Sequence, residues 1–179
     1  MKRILAFAGS NSSTSINYEL VSYTVSLIDD YEIQLLNMSK MPFPLYSADM
    51  EKAEGFKNSL IELREDIIEA DGIIIGVNEH NRNLSAYFKN LIDWLSRLDR
   101  KFLDKKPVML TSTSDGDFGG SRSLKIASET LPRFGAEIVS TFSLPNYSKN
   151  FSEKKGIITD ETLKEENKKA LDQFLSSLI

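Results

Sequence analysis

The segment GSNSSTSIN, residues 9–17, holds a cluster of small hydrogen-bond donors between an apolar run and a helical pattern. Five of the six residues from Ser10 to Ser15 carry a hydroxyl group. A helix N-terminus has unpaired backbone N–H groups and a partial positive charge, so it attracts anions. Uncharged side-chain donors at this junction are Ser10, Ser12, Ser15 and Asn17. This combination suits a phosphate monoester.

A simpler interpretation of the segment is that Thr14 or Ser15 only caps the helix and that the other residues are solvated. The number of donors favours a phosphate site. The chain has no G-x-x-x-x-G-K-[ST] motif, and no G-x-G-x-x-G motif follows the first apolar run. A phospho-receiver domain would have acidic residues where this chain has Gly9 and Ser10, and an aspartate where it has Asn78. A flavodoxin-like mononucleotide site is the class that remains.

The composition excludes several other kinds of site and partner. The 179 residues include no cysteine and one histidine, which excludes disulfides, thiolate nucleophiles, and cysteine-ligated or multi-histidine metal sites. A formal net charge of -4 provides no basic surface for nucleic acid. The first apolar run is too short for a signal peptide, and no run approaches the ~18 residues of a membrane span. We therefore expect a cytoplasmic protein with one domain over residues 1–179, no metal, no nucleic-acid partner and no membrane contact.

Short apolar runs alternate with helical patterns along the chain, which predicts an α/β fold. The predicted strands are Ile4 to Ala8, Glu32 to Leu36, Gly72 to Val77, Pro107 to Thr113 and Ala136 to Phe142. One predicted helix begins at about Ser15, and the others cover Ala53 to Ala70, Leu84 to Leu98, Gly120 to Phe134 and Thr159 to Leu178. Strands separated by such helices pair in parallel through right-handed crossovers. We expect a three-layer, flavodoxin-like sandwich with strand order 2-1-3-4-5 and helices on both faces.

Ligands of such sheets bind beyond the carboxyl ends of the strands, where the strand order reverses. The loops after the first, third and fourth strands meet there, and all three are rich in small or polar residues. They read GSNSSTSIN at residues 9–17, NEHNRN at 78–83 and STSDGDFGG at 112–120. The sequence therefore predicts one site built from three loops.

These loops resemble the signature segments of the NAD(P)H-dependent FMN reductases. The first is similar to their G-S-x-R-x-x-S-x-N phosphate loop. The second, NEHN at 78–81 followed by KNLIDW at 89–94, resembles their P-E-Y-N and K-N-x-x-D-W segments. The third, with SDG at 114–116 and GG at 119–120, is similar to S-P-G-x-x-G-G. The three matches occur in order, with compatible spacing, over nearly the whole chain.

The resemblance implies hydride transfer from NADPH or NADH through FMN to a small-molecule acceptor, such as a flavin, quinone, azo compound or metal oxyanion. It implies FMN contacts, largely through the backbone, by Ser10, Ser12, Ser15, Ile16 and Asn17 at the phosphate, by Asn78, Glu79, His80 and Asn81 along the flavin, and by Ser114, Asp115 and Gly116 on its other side. The flavin would carry the chemistry, so no catalytic side chain is predicted, although His80 is a candidate stacking or proton-donating group.

The resemblance also implies a homodimer or homotetramer. The third and fourth predicted helices would bury against the partner, and an exposed patch of Tyr87, Phe88 and Trp94 would be consistent with that. We interpret Trp94 as a residue of the core or of the subunit interface rather than as a ligand contact.

This chain departs from the family pattern at several site positions. Ser12 replaces the usual arginine, which removes a cation near the phosphate or the nicotinamide cofactor. The other departures are Asn78 for proline, His80 for tyrosine, Arg82 for glycine and Ser85 for proline. Our hypothesis is that Arg82 supplies the charge that Ser12 lacks, and the alternative is a solvated surface arginine.

Two other functions remain open at this point. One is an electron carrier that binds FMN without oxidising NAD(P)H efficiently, which the missing arginine favours. The other is a flavodoxin-like protein that has lost flavin and acts through protein contacts or another phosphate ligand, which the altered NEHNRN segment favours.

Overall fold

A five-stranded parallel sheet forms the centre of the protein. The computed structural model describes residues 1–178. The strands are β1 (Arg3–Ala8), β2 (Glu32–Leu36), β3 (Gly72–Gly76), β4 (Pro107–Thr113) and β5 (Glu137–Leu144). Their spatial order is β2-β1-β3-β4-β5, with every neighbouring pair parallel. The predicted flavodoxin-like strand order is confirmed.

Helices connect the strands and cover the sheet. The α-helices are α1 (Ile16–Ser26), α2 (Ala48–Glu54), α3 (Asn58–Glu69), α4 (Ala86–Leu98), α5 (Ser121–Thr130), α6 (Tyr147–Asn150) and α7 (Glu161–Ser177). Two 3₁₀ turns, at Met38–Lys40 and Leu131–Phe134, follow β2 and α5. Within residues 1–178, no helix combines the length and apolar character that a membrane crossing needs.

The alternation of side chains along each strand separates the core into two layers. On β1, Leu5 and Phe7 face one layer, whereas Ile4 and Ala6 face the other. The first layer packs mainly against buried residues of α3, α4 and α5, which include Leu60, Leu63, Ile67, Phe88, Leu91, Leu95, Leu124 and Ala127. The second packs against α1 and α7 through Leu20, Val21, Leu171 and Phe174. The result is the predicted three-layer sandwich.

Two predicted helices differ from the structure. The helix predicted over Ala53 to Ala70 is wrong as a single element, because α2 ends at Gly55, whose φ of 68° leaves the helical region. The helix predicted over Gly120 to Phe134 is α-helical only to Thr130 and ends as a 3₁₀ turn. Pro132 lacks the N–H group that an α-helix needs at that position.

Two small hairpins were not predicted. Glu79–His80 pairs with Asn83–Leu84, and Phe151–Ser152 pairs with Ile157–Ile158. Leu84 therefore belongs to a hairpin rather than to the predicted helix. Helix α4 begins after Ser85, whose hydroxyl oxygen accepts a hydrogen bond from the backbone N–H of Phe88 at 3.1 Å.

Gly9 lies at a close approach between the first loop and α4. Its N–H donates to the carbonyl of Gly76 at 2.8 Å, and a Cβ at this position would lie 2.5 Å from Cγ and 2.8 Å from Cβ of Phe88. Cβ of Phe88 belongs to the fixed part of a buried side chain, so it has little room to move. Glycine at position 9 thus lets the first loop pack against α4.

We expect Gly9→Ala to lower the free energy of unfolding by about 2 kcal/mol, because the added methyl group overpacks the buried Phe88 ring. Urea denaturation followed by circular dichroism measures the change. Gly116→Ala is the matched control, since its Cβ would meet only Ser114 Oγ, at 3.7 Å. Equal stability of the two variants would contradict the close packing at Gly9.

Candidate functional site

The hydroxyls of the first loop organise the N-terminus of α1. Ser15 is the N-cap, and its Oγ accepts from the N–H of Tyr18 at 3.2 Å. Ser10 Oγ accepts from the N–H of Ser12, and Ser12 Oγ accepts from the N–H of Thr14, both at 3.3 Å. An accepting hydroxyl still carries a proton that it can donate to a ligand. The capping interpretation of Ser15 is therefore correct, and it is compatible with a donor role.

Two backbone donors complete the anion-binding character of this loop. Because Ser15 Oγ satisfies Tyr18, the N–H groups of Ile16 and Asn17 are the helix donors left without an intrahelical partner. The positive end of the α1 dipole lies at the same point. The structure thus brings Ser10, Ser15 and these two N–H groups together at the start of α1.

The side chain of Asn17 joins α1 to the end of β4. Its Nδ2 donates to the carbonyl of Thr113 at 3.2 Å, and its Oδ1 accepts from the N–H of Thr113 at 3.0 Å. Asn17 is only 3% exposed, so this reciprocal pair is buried. The amide fastens α1 to the end of β4, and the backbone N–H of Asn17 is also a donor without an intrahelical partner.

The second loop is a hairpin with a two-residue turn. Asn81 and Arg82 form the turn and have φ values of 52° and 63°. Two consecutive positive φ angles are typical of a type I′ turn, whose second position strongly favours glycine. Arg82 is exposed and adopts this conformation at a cost of about 1 kcal/mol.

The Glu79 carboxylate caps α5 from across the site. Its Oε2 accepts from the N–H groups of Arg122 at 3.1 Å and Ser123 at 3.0 Å. The N-cap of α5 is Gly120, which has no side chain to serve as a cap. Glu79 therefore neutralises the N-terminus of α5 and ties the hairpin to that helix.

The third loop is fastened to the segment that follows β5. Asp115 Oδ1 accepts from the N–H of Ser148 at 2.9 Å and from the Ser148 hydroxyl. These hydrogen bonds, the hydroxyl first, hold the pKa of Asp115 below its ordinary value. The carbonyl of Ser114 accepts from the N–H of Tyr147 at 3.1 Å. Asp115, like Glu79, is thus engaged with a protein donor.

The three loops enclose a cleft of about 220 Å³, which we call the three-loop cavity. It is lined by Ser10, Ser12, Thr14, Ser15, Ile16, Asn17, Asn78, Glu79, His80, Thr113, Ser114 and Asp115. The predicted site residues all lie here except Asn81 and Gly116. Thr14 and Thr113 line it although sequence reasoning did not assign them, and the position of Thr113 at the end of the fourth strand is the signal that was missed. None of the described residues that line this cavity is lysine or arginine.

A second cleft of about 340 Å³ adjoins the first. It is lined by Asn11, Phe43, Leu45, Asn78, His80, Ser85, Ala86, Tyr87 and Asn90. Asn78 and His80 line both clefts, so the two are neighbours across these side chains. Asn78 is 7% exposed, and its buried Oδ1 has no hydrogen-bond partner within residues 1–178. Residues 41–46 follow β2, and we call them the strap. Because Phe43 and Leu45 of the strap line this cleft, we call it the strap cavity.

The candidate interface patch on α4 is largely absent. Phe88 and Trp94 are buried in the core of the same chain, and Tyr87 is half-buried. Trp94 packs edge-on against Tyr46 and Phe56, with ring centroids 5.1 Å and 6.1 Å away. Trp94 was predicted to lie in the core or in the subunit interface, and the structure places it in the core.

The sheet order and the polar cleft at the carboxyl ends of the strands define a flavodoxin-like α/β protein. The chain belongs to the NADPH-dependent FMN reductase family, whose model matches residues 2–149. The family resemblance found in the three loops is thus confirmed.

Curated relatives agree with this membership. The chain is 44% identical to a quinone reductase of Escherichia coli K12 over 79 residues, which are 44% of this chain and 42% of that protein. The chain thus matches less than half the length of that relative. It is 31% identical to an NAD(P)H-dependent FMN reductase of Pseudomonas aeruginosa over 130 residues, 72% of this chain and 69% of that protein.

Among solved structures, FerB, a flavoenzyme NAD(P)H:acceptor oxidoreductase of Paracoccus denitrificans, has the same fold. It superimposes with a TM-score of 0.80 at 23% identity, covering 99% of this chain and 97% of FerB.

Replacing Glu79 by glutamine should weaken the cap of α5, because an amide oxygen accepts from the helix N–H groups without the charge that the helix dipole favours. We expect a loss of about 1 kcal/mol in the free energy of unfolding, measured by urea denaturation. The control is Glu129→Gln on α5. The exposed Glu129 carboxylate lies 3.9 Å from Lys125, and this ion pair contributes less than about 0.5 kcal/mol to stability. A loss no larger in the Glu79 variant than in the control would show that the cap is not formed.

Proposed function

We propose that the protein binds FMN with its phosphate in the three-loop cavity and oxidises NADPH or NADH, delivering the electrons to a small-molecule acceptor. The observation that carries this proposal is the cluster of uncharged donors at the N-terminus of α1, in a chain of the FMN reductase family. Bound FMN would take hydride from the nicotinamide and pass reducing equivalents to the acceptor. A flavin, quinone, azo compound or metal oxyanion would serve as acceptor.

The first loop would hold the FMN phosphate. The donors proposed for it are the hydroxyls of Ser10, Ser12 and Ser15 and the N–H groups of Ile16 and Asn17. A phosphate dianion in this cleft would meet two carboxylates: Glu79, whose charge the N-terminus of α5 partly offsets, and Asp115, which accepts hydrogen bonds from Ser148. The groups proposed to hold the phosphate are therefore neutral donors and the positive end of the α1 dipole.

The second and third loops would hold the rest of the cofactor. We propose contacts by Asn78, Glu79, His80 and Asn81 on one side and by Ser114, Asp115 and Gly116 on the other. The buried, unpartnered Oδ1 of Asn78 supports this assignment, because a hydrogen bond from the ligand would satisfy it. His80 is exposed at the junction of the two cavities, where it is our candidate for the group that donates a proton to the acceptor.

An electron carrier is the second candidate function. It is favoured by the absence of lysine and arginine from the described lining of the three-loop cavity, which leaves no cation there for the nicotinamide phosphates.

The visible spectrum of the purified protein separates these functions. We expect added FMN to bind and then to bleach rapidly when NADPH or NADH is added without oxygen. Flavin that binds but does not bleach would favour the carrier. Protein that does not bind FMN at all would contradict both functions.

Arg82 is our candidate for the missing cation. It is exposed at the tip of the hairpin and makes no ion pair within the described part of the chain. We expect Arg82→Ala to raise the KM for NADPH about fivefold, the upper end for an exposed ion pair, while Arg82→Lys retains most of the effect. Alanine shares the same penalty at positive φ, so the comparison isolates charge. If the KM for NADPH is the same in both variants and in the wild type over a range of salt concentrations, Arg82 does not interact with NADPH and is only a solvated surface residue.

We also propose that the protein forms a homodimer or homotetramer and acts in the cytoplasm. The third loop supports self-association, because Phe118 exposes 72% of its surface beside the three-loop cavity. Exposed aromatic side chains of this kind are enriched at interfaces.

A further inference from the structure

Ser85 connects the ends of β1 and β3, at the point where these neighbouring strands stop pairing. There the N–H of Gly9 donates to the carbonyl of Gly76 at 2.8 Å. Just beyond, Ser85 Oγ donates to the carbonyl of Gly9 at 2.9 Å, and the N–H of Ser85 donates to the carbonyl of Asn78 at 3.3 Å. One residue therefore joins the beginning of the first loop to the beginning of the second.

The same hydroxyl also begins α4. Ser85 is the N-cap of this helix, and its Oγ accepts from the N–H of Phe88 at 3.1 Å. A serine hydroxyl has one proton, which Ser85 donates to Gly9. Ser85 is only 3% exposed, so these hydrogen bonds are shielded from water. A buried hydroxyl that is engaged both as donor and as acceptor holds its partners in a fixed geometry.

The residue that the family pattern has at position 85 could not make these connections. That residue is proline, which has no N–H for the carbonyl of Asn78 and no hydroxyl for the carbonyl of Gly9. Ser85 is one of the departures of this chain from the pattern. The connection between the two loops is therefore made by this chain's own residue.

The hydroxyl of Ser85 also determines the direction of the next backbone N–H group. The peptide bond between Gly9 and Ser10 is trans, so its C=O and N–H point in opposite directions. Because the carbonyl of Gly9 points at Ser85, the N–H of Ser10 points away from Ser85. Ser10 lines the three-loop cavity, whereas Ser85 does not. The N–H is thus directed to the side of the first loop that is opposite to Ser85.

The N–H of Ser10 is a donor without a protein acceptor. Within residues 1–178 it makes no hydrogen bond, although Ser10 is only 8% exposed. A backbone N–H that is left unpaired at a buried residue is unfavourable, and an acceptor on a bound ligand would satisfy it. The neighbouring donors at the start of α1 would bind the same acceptor group.

We propose that Ser85 is a positioning residue for the phosphate site, because it holds the carbonyl of Gly9 and thereby directs the N–H of Ser10 at the phosphate. This inference rests on the proposed function, since the phosphate is that of FMN. It goes beyond that function because Ser85 lies outside the three-loop cavity and acts through the peptide group between Gly9 and Ser10. Riboflavin has no phosphate, so its binding should not depend on this donor.

The test measures the affinities of FMN and riboflavin for flavin-free variants that lack the hydroxyl. Ser85→Ala loses both the bond to Gly9 and the cap of α4. Ser85→Gly loses the same bond but weakens the helix little, because glycine is a much better N-cap than alanine. We expect FMN to bind about tenfold more weakly to both variants, since a hydrogen bond to a charged group is lost. The affinity for riboflavin should stay the same.

Two further variants are the controls. Ser85→Thr keeps a hydroxyl that can donate to Gly9, so it should retain tight FMN binding. Asp160→Ala removes the N-cap of α7, whose carboxylate accepts from the N–H of Leu163 at 2.9 Å. Asp160 lines neither cavity, so this variant should lose stability without a change in either flavin affinity. Urea denaturation measures the stability of each variant.

Three outcomes would overturn the proposal: an FMN affinity that Ser85→Gly leaves unchanged, an equal loss of riboflavin affinity, or a loss of FMN affinity in Asp160→Ala as large as in the Ser85 variants. Each would show that Ser85 serves only the stability of the fold.

If the wild type does not bind FMN, the proposed function fails separately, and a titration with inorganic phosphate then decides. It is followed by the amide resonance of Ser10 in ¹⁵N NMR spectra. A phosphate-dependent shift in the wild type that both Ser85→Ala and Ser85→Gly remove upholds the positioning role. The absence of a shift, or a shift that these variants leave unchanged, overturns it.

Discussion

The reciprocal hydrogen bonds between the Asn17 amide and the backbone of Thr113 join parts of the chain that are 96 residues apart. They connect the first turn of α1, which follows β1, to the end of β4, although β3 lies between these two strands. Gly76 at the end of β3 makes this possible, because a Cβ there would lie 2.8 Å from Val21 and 3.2 Å from the Asn17 carbonyl. The buried pair therefore sets the separation of the first and third loops, and with it the width of the three-loop cavity.

Charge around the cavity follows one rule, which is that acidic side chains bind protein donors and neutral groups are left for the ligand. Glu79 caps α5, and Asp115 accepts two hydrogen bonds from Ser148. Their oxygens are therefore directed at protein donors rather than at the ligand. The hydroxyls of the first loop can then act as donors in a lining that, within the described residues, contains neither lysine nor arginine. The loss of the family arginine at position 12 is consistent with this arrangement.

The sequence was sufficient to predict features that depend on local pattern. Five apolar runs separated by helical patterns gave the sheet, and the loops after the first, third and fourth strands were correctly expected to converge. The hairpin at residues 79–84 was missed because its type I′ turn contains Arg82 rather than the glycine that usually marks such turns. The break between α2 and α3 was missed because the amphipathic pattern continues past Gly55.

Features that depend on distant pairs could not be predicted from one sequence. The hydrogen-bond partners of Glu79 and Asn17 lie 43 or more residues away in the chain. The residue type alone does not indicate that Glu79 caps a helix or that Asn17 binds the end of a strand. The strap cavity was not predicted for the same reason. Its wall is fixed by Asn90 and Trp94 of α4, which donate to the carbonyl of Pro44, 46 and 50 residues earlier in the chain. Local sequence propensity determines where helices and strands form, whereas these long-range hydrogen bonds determine how the residues of the site are positioned.

We propose that an uncharged donor cluster at the start of α1 binds the phosphate of FMN. The most direct measurement compares the affinities of FMN and riboflavin for the flavin-free protein at several salt concentrations. We predict at least about a hundredfold tighter binding of FMN, since several hydrogen bonds to a charged phosphate contribute about 1.5–3 kcal/mol each. We also predict a weak dependence on salt, because neutral donors rather than side-chain cations hold the phosphate. Equal affinity for riboflavin, or FMN binding that weakens steeply with salt, would contradict the account.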